Sequence, residues 1–147
     1  MRPHQSLARG IDLPYRNVGA LYMAKASAQP DKTFLVCPGR DEEAFTYREF
    51  GAFYLCAARH LIDLGLVTGD RFGLIAANSS EFLLFYFAGL AMGITVVPIN
   101  PDLSPLEMQY IVEDSRAKVV LFQSDLKTKV DQLQAALAAR NIINHFS

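Results

Sequence analysis

Hydrophobic and polar residues change rhythm several times along this chain, and the longest apolar run lies in the middle. From Phe82 to Ile99 no residue is charged, a length at which a membrane span has to be considered. The run itself argues against one. Gly93 falls where a helix would stop, and Ile94, Thr95, Val96 and Val97 after it are β-branched, with Pro98 close behind. Such side chains lose rotamer freedom in a helix and favour strands. The flanks also lack the Lys/Arg cluster and Trp/Tyr belts of an anchor. The run predicts an interior helix, apolar all round, that turns at Gly93 into a central strand over 94–99. That strand lacks period-two alternation, as expected when both faces are covered. Asn78 or Ser79 is expected as N-cap, with Asn78 and Glu81 as a capping pair.

The remaining segments carry clearer punctuation. Residues 1–16 read as an irregular lead-in. Asn17 can cap a helix through about Ala28, with Leu21 and Met23 among its apolar positions, and Pro30 ends it. Thr33–Cys37 reads as a strand, Pro38-Gly39-Arg40-Asp41 as a turn and Ala44–Thr46 as a short return strand, together a hairpin on one edge. Thr46 and Glu49 form a capping box before a helix that puts Phe50, Phe53, Tyr54, Ala57, Leu61 and Leu64 on one face. Gly65 is its stop, with Leu66 placed for a Schellman contact. Gly69-Asp70 is a turn before a strand over Phe72–Ala77. Ser104, Pro105 and Glu107 give a further helix start, running to about Asp114, before a strand over Lys118–Phe122. Ser124 or Asp125 is expected to cap a last helix bearing Leu126, Val130, Leu133 and Leu137. The alternation of strands and helices from 71 to 140 implies an α/β fold, with parallel strands joined by right-handed crossovers and an N-terminal β-hairpin beside them.

Composition changes this picture in one respect. At 147 residues the chain has one domain's worth of core, yet 51% of it is hydrophobic and the mean hydropathy is positive. That is greasy for a small soluble monomer and predicts surface meant to be covered. A formal net charge of −1, with scattered Lys and Arg, gives no nucleic-acid footprint and no polybasic membrane patch. The opening MRPHQSLARG has no apolar core of a secretory signal. Cys37 and Cys56 lack ligand-like spacing and read as buried free thiols of a cytoplasmic protein. The three histidines are far apart, so no zinc or other metal site is expected.

Motifs that would carry chemistry are missing. The chain holds no Gly-x-x-x-x-Gly-Lys, no Gly-x-Gly-x-x-Gly and no Gly-x-Ser-x-Gly. Asp70-Arg71 reads as a solvated turn, His60 as a surface residue, and Glu113-Asp114 as carboxylates meeting Arg116 and Lys118. Composition and spacing stop at a soluble α/β domain.

Several blocks taken together go further. TYREF (46–50), LGLVTGDRFGLIAANSSEF (64–82) and FAGLAMGITVVPINPDLSPLEMQYIVEDSRAKVVLF (87–122) occur in an order and at a spacing that resemble the N-terminal part of adenylate-forming enzymes. The likeness spans roughly residues 17–140. Within that superfamily, VVPINP followed by SPLEMQYI is more similar to acyl-CoA synthetases than to peptide-synthetase adenylation domains. The resemblance implies a partial AMP-binding-type domain over 17–147. In the complete enzyme a carboxylate attacks the α-phosphorus of ATP, magnesium offsets phosphate charge, and coenzyme A then displaces AMP.

The same resemblance implies that the working parts lie elsewhere. The family's Ser/Thr/Gly-rich loop ending in Pro-Lys should follow the strand at 118–122, and the sequence reaches Ser147 without it. No catalytic residue is therefore expected here, and ATP, magnesium and coenzyme A belong to the complete enzyme. By position, Asn100, Pro101, Lys127 and Lys129 match segments that lie near the nucleotide end of coenzyme A. A helix start with ammonium groups suits a phosphate. The sequence departs from the pattern there, with Asn-Pro in place of a glycine pair and lysines in place of arginines. Two readings follow. The chain is a catalytically silent N-terminal fragment of an acyl-CoA synthetase that packs against the rest of the enzyme, or it is a stand-alone module that associates through its apolar surface.

Overall fold

Three helices begin as their sequences require. The computed structural model describes residues 14–38, 43–137 and 142–146, so the turn expected at 39–41 and most of the lead-in lie outside it. Asn17 accepts a hydrogen bond from the Ala20 N–H at 2.8 Å and opens α1 (Val18–Ala28). Thr46 and Glu49 cap α2 (Tyr47–Asp63) reciprocally, as Ser104 and Glu107 cap α4 (Pro105–Ser115), with Pro105 in its first turn. Between α1 and α2 run β1 (Thr33–Cys37) and β2 (Glu43–Thr46). Between α2 and α4 come β3 (Arg71–Ile75), α3 (Ser80–Ala91) and β4 (Thr95–Ile99). The chain closes with β5 (Val119–Gln123), α5 (Lys127–Ala136) and β6 (Ile142–Phe146).

The start of α3 settles on one of its two expected caps, and the start of α5 differs from expectation. Ser79, not the Asn78–Glu81 pair, caps α3 by accepting from the Phe82 N–H. Neither Ser124 nor Asp125 caps α5. A single 3₁₀ turn, Ser124–Leu126, leads into it, with Leu126 at the cap. The C-terminus of α2 is a full Schellman end. The Gly65 N–H reaches the Ile62 carbonyl and the Leu66 N–H the Leu61 carbonyl, while Gly65 takes a φ of +77°.

β4, β3, β5 and β6 form one parallel sheet in that order. The apolar strand after Gly93 is thus an edge strand of the described sheet, and β3 and β5 occupy the middle. Pro98 fits the edge because it has no N–H for a second neighbour. β6 went unpredicted. The β1–β2 hairpin is antiparallel but forms a separate two-stranded sheet, not an edge of the parallel one.

The sheet divides two cores by alternate residues. Phe72, Leu74, Ala76, Val119 and Leu121 face α1, α2, α3 and the hairpin. Ile75, Ile99, Val120 and Phe122 face α4 and α5, through Met108, Val112, Val130 and Leu133. Layers on both faces explain the unbroken apolar strands. α3 is half-buried all round, with Phe85, Ala88 and Gly89 fully inside. It lies close on the sheet because Gly89 has no side chain. A Cβ there would meet Val96 Cγ2 at 2.7 Å and the Phe72 ring at 2.8 Å. Among the described residues no helix is long and apolar enough to cross a membrane.

Aromatic rings attach the hairpin to the helices. Tyr22 is their hub, with ring centroids 5.3 Å from Phe34 and 5.6 Å from Phe50 and Tyr54. Its hydroxyl donates to the Tyr47 carbonyl. Burial, with smaller contributions from Tyr47 and Tyr54, pushes that phenol up to about 12.

Candidate functional site

In an open parallel sheet the loops beyond the carboxyl ends of the strands form the usual ligand crevice. Here a cleft of about 580 Å³ lies there, lined by Ala76, Ala77, Asn78 and Phe82 on one side and Pro98 to Asp102 on the other. Its floor is the end of β3 and β4. The Ala77 N–H donates to Gln123 Oε1 at 3.2 Å, which ties the loop after β3 to the end of β5.

The structure brings together part of the predicted set. Asn100 lines the cleft and its Oδ1 accepts from the Asp102 N–H at 2.9 Å, an Asx turn that shapes the lip. The ammonium of Lys129 reaches across from α5 and donates to the Pro101 carbonyl at 2.6 Å. Lys127 is held elsewhere. Its ammonium meets both carboxylate oxygens of Asp131, at 2.8 and 3.0 Å, on the exposed side of α5. Among the described residues the cleft therefore offers one ammonium at its lip, a side-chain amide, the Asp102 carboxylate and several backbone groups. That donor set does not fit a nucleoside triphosphate, which needs a cradle of N–H groups and a bound cation. Among the described residues no group of three or more His, Cys, Asp or Glu could hold a metal ion.

At the opposite end of the strands the polar side chains are spent on the fold. Asp70 accepts from the Val67 N–H at 2.9 Å and from the Lys118 ammonium at 3.0 Å, and Lys118 also donates to the Gly65 carbonyl at 2.6 Å. The Val67 N–H first, and Lys118 after it, hold the Asp70 carboxyl below its usual range. Arg71 donates to the Ser115 carbonyl at 2.7 Å. Asp70-Arg71 is thus a clasp and not merely a solvated turn. Lys118 does not meet Glu113 or Asp114, and Glu113 accepts from Gln109 Nε2 instead.

Two further expectations are corrected. Cys37 and Cys56 are free but not buried: the first is half-buried and the second exposed. His60 is half-buried, its Nε2 sealed from solvent and without a hydrogen-bond partner among the described residues. Its ring meets Phe85 edge-on at 5.8 Å. Both Cys56 and His60 line a second cleft, between α2, β2 and α3. Phe53, assigned to the core face of α2, is 50% exposed and forms part of that cleft's wall. Helical spacing alone could place these three side by side, but not show that α3 leaves a gap above them.

Comparison with known proteins agrees with the blocks that suggested a family. Residues 23–145 match the AMP-binding enzyme family. The long-chain-fatty-acid–CoA ligase FadD13 of Mycobacterium tuberculosis is 31% identical over 120 residues, which is 82% of this chain and 24% of that protein. Among solved structures, the N-terminal domain of FACL13 from M. tuberculosis superposes with a TM-score of 0.78 at 28% identity, covering 87% of this chain and 34% of that one. The anthranilate CoA ligase AuaEII, solved with anthranoyl-AMP, gives 0.80 at 26% identity over 92% of this chain and 26% of its own. The chain thus spans about a quarter of the length of these ligases. With the family matched over most of its length and the fold superposed, this chain belongs to the AMP-binding enzymes and corresponds to part of their N-terminal domain.

Proposed function

We propose that this chain is the N-terminal portion of an ATP-dependent, AMP-forming acyl-CoA synthetase, and that it does not adenylate a carboxylate by itself. The family match over residues 23–145 carries the reading. Silence in isolation rests on the donor set: a cleft with Lys129 as its only lip ammonium among the described residues cannot neutralise a triphosphate. Magnesium-ATP would be held by parts of the enzyme beyond these residues, and that is the chemistry those groups supply when bound. The chain's own contribution is to support the sheet on which those parts sit. For coenzyme A, Asn100, Pro101 and Lys129 form a lip suited to a single phosphate. Lys127 can join them only by releasing Asp131. We take the complete enzyme to be cytoplasmic.

A pyrophosphate-exchange screen with carboxylic acids, run on the full reading frame beside this chain, tests the reading. Exchange is expected from the former and none from the latter. Exchange above background from the pure chain would overturn it. In the complete enzyme, Lys129→Ala should raise the KM for coenzyme A several-fold while leaving pyrophosphate exchange unchanged. An equal loss in both half-reactions would remove Lys129 from that role.

A second reading is favoured by large exposed apolar residues. Leu106 and Tyr110 are 75% and 70% exposed one turn apart on α4, and Leu55 and Ile62 are 60% and 53% exposed on α2. Such surface suits packing against the rest of the enzyme, or self-association in a stand-alone interaction module. Sedimentation should show association of the isolated chain. A clean monomer that binds no hydrophobic dye would count against both.

A further inference from the structure

We propose that the cleft between α2, β2 and α3 binds an amphiphilic organic cation, an aryl or alkyl body carrying an ammonium group. This site is separate from the strand-end crevice and does not depend on the ligase reading. It has a volume of about 470 Å³, within the range of small-molecule sites. Phe45, Phe53, Leu84 and Phe85 supply apolar walls. The Phe45 and Phe53 rings stand edge-to-face at 5.9 Å, with Phe53 half open to solvent. An apolar body fits against these rings, and a cation is attracted to their faces.

The polar side of the cleft fixes the sign of the ligand. Glu43 arrives from β2 and Glu81 from the first turn of α3, and both carboxylates converge on the hydroxyl of Ser80. That hydroxyl is 2.9 Å from Glu43 Oε2 and 3.2 Å from Glu81 Oε2, and Ser80 is only 4% exposed. A hydroxyl has a single proton to donate. At any moment one of the two carboxylates lacks it, and among the described residues neither has a cationic partner. The start of α3 also favours negative charge. Their field reaches Cys37, whose thiol burial pushes up and the charges of Glu43 and Glu81 push further. Two carboxylates competing for one donor, at the side of an aromatic-walled cleft, form a complete recognition set for an ammonium group on an apolar body. An anion of the same shape would meet repulsion there.

The test compares three ligands with one body: 4-phenylbutylammonium, 4-phenylbutanol and 4-phenylbutyrate, each titrated calorimetrically into the full chain. The ammonium should bind about fivefold more tightly than the alcohol, the gain expected of a partly exposed ion pair, and the carboxylate more weakly than either. Two perturbations locate the site. Glu43→Gln with Glu81→Gln should reduce the ammonium to the affinity of the alcohol, and alkylation of Cys56 on the cleft wall by N-ethylmaleimide should abolish binding of all three. Equal affinities, a preference for the carboxylate, or a cation preference that survives both glutamine substitutions would overturn the proposal. The wild-type comparison decides the question even if the double variant fails to fold.

Discussion

The two ends of the parallel sheet use polar side chains to different extents. At the amino end, Lys118 ties the Gly65 carbonyl to Asp70, Arg71 ties to the Ser115 carbonyl, and the Thr68 hydroxyl donates to the Met92 carbonyl at 2.8 Å. These bonds join segments far apart in sequence. Each side chain satisfies a backbone carbonyl at a helix end, the groups a helix cannot pair internally. At the carboxyl end, among the described residues, the bonds are fewer: Gln123 holds the Ala77 N–H and Lys129 the Pro101 carbonyl, Asn100 bonds only two residues along its own loop, and the 580 Å³ cleft stays open. The difference teaches where the fold holds itself and where it leaves room for a ligand. Edge-on to that axis, the two faces also differ. The α1–α3 face is rich in aromatic rings and holds a second cleft, whereas the α4–α5 face is mainly aliphatic.

The contrast can be broken most directly at Leu66, which is 2% exposed beneath the Schellman end. Leu66→Ala should lower unfolding free energy by about 2–5 kcal/mol in denaturant titration. A loss below about 1 kcal/mol would mean the amino end is not the tightly packed one. Gly65→Val comes next, at about 1–2 kcal/mol, because a β-branched residue must adopt the left-handed conformation that glycine takes there. The acid limb of stability sharpens the comparison further. The Asp70 carboxyl is held below its unfolded value, so it contributes stability above the usual carboxylate range and loses it as pH falls through the folded value. Asp70→Asn should flatten that part of the pH profile, and an unchanged acid limb would remove the clasp from the account. The smallest effect is expected at the other end. Asn100→Ala and Lys129→Met should each change stability by less than about 0.5 kcal/mol. A larger loss from either would show that the cleft lip supports the fold as the amino end does.

Local signals in the sequence were read with little loss. Thr46–Glu49 and Ser104–Glu107 make capping boxes because side chain and backbone lie within one turn, and Gly65 ends α2 because the left-handed position is adjacent. Ser79 displaced Asn78 as the cap of α3 because both are competent caps one residue apart, and the entry angle of the chain chose between them. The strand after Gly93 was recognised but assigned to the middle of the sheet. Val96 and Val97 pack on opposite faces whether a strand has one neighbour or two, so hydrophobicity says nothing of its place in the order. Within the crevice, Asn100 and Pro101 were legible as a loop after a strand, while the reach of Lys129 to the Pro101 carbonyl spans 28 residues and leaves no local trace.

What the sequence determined by itself was most of the elements, many of their ends, and the family, because caps, stops and apolar rhythm act over a few residues and the ordered blocks accumulate. Tertiary structure decided the rest: which strand lies at the edge, that Asp70 and Lys118 form a clasp, and that Glu43, Ser80 and Glu81 share a cleft with Cys56 and His60. Those outcomes depend on side chains brought together by sheet order and helix packing, and sequence separation carries no record of either.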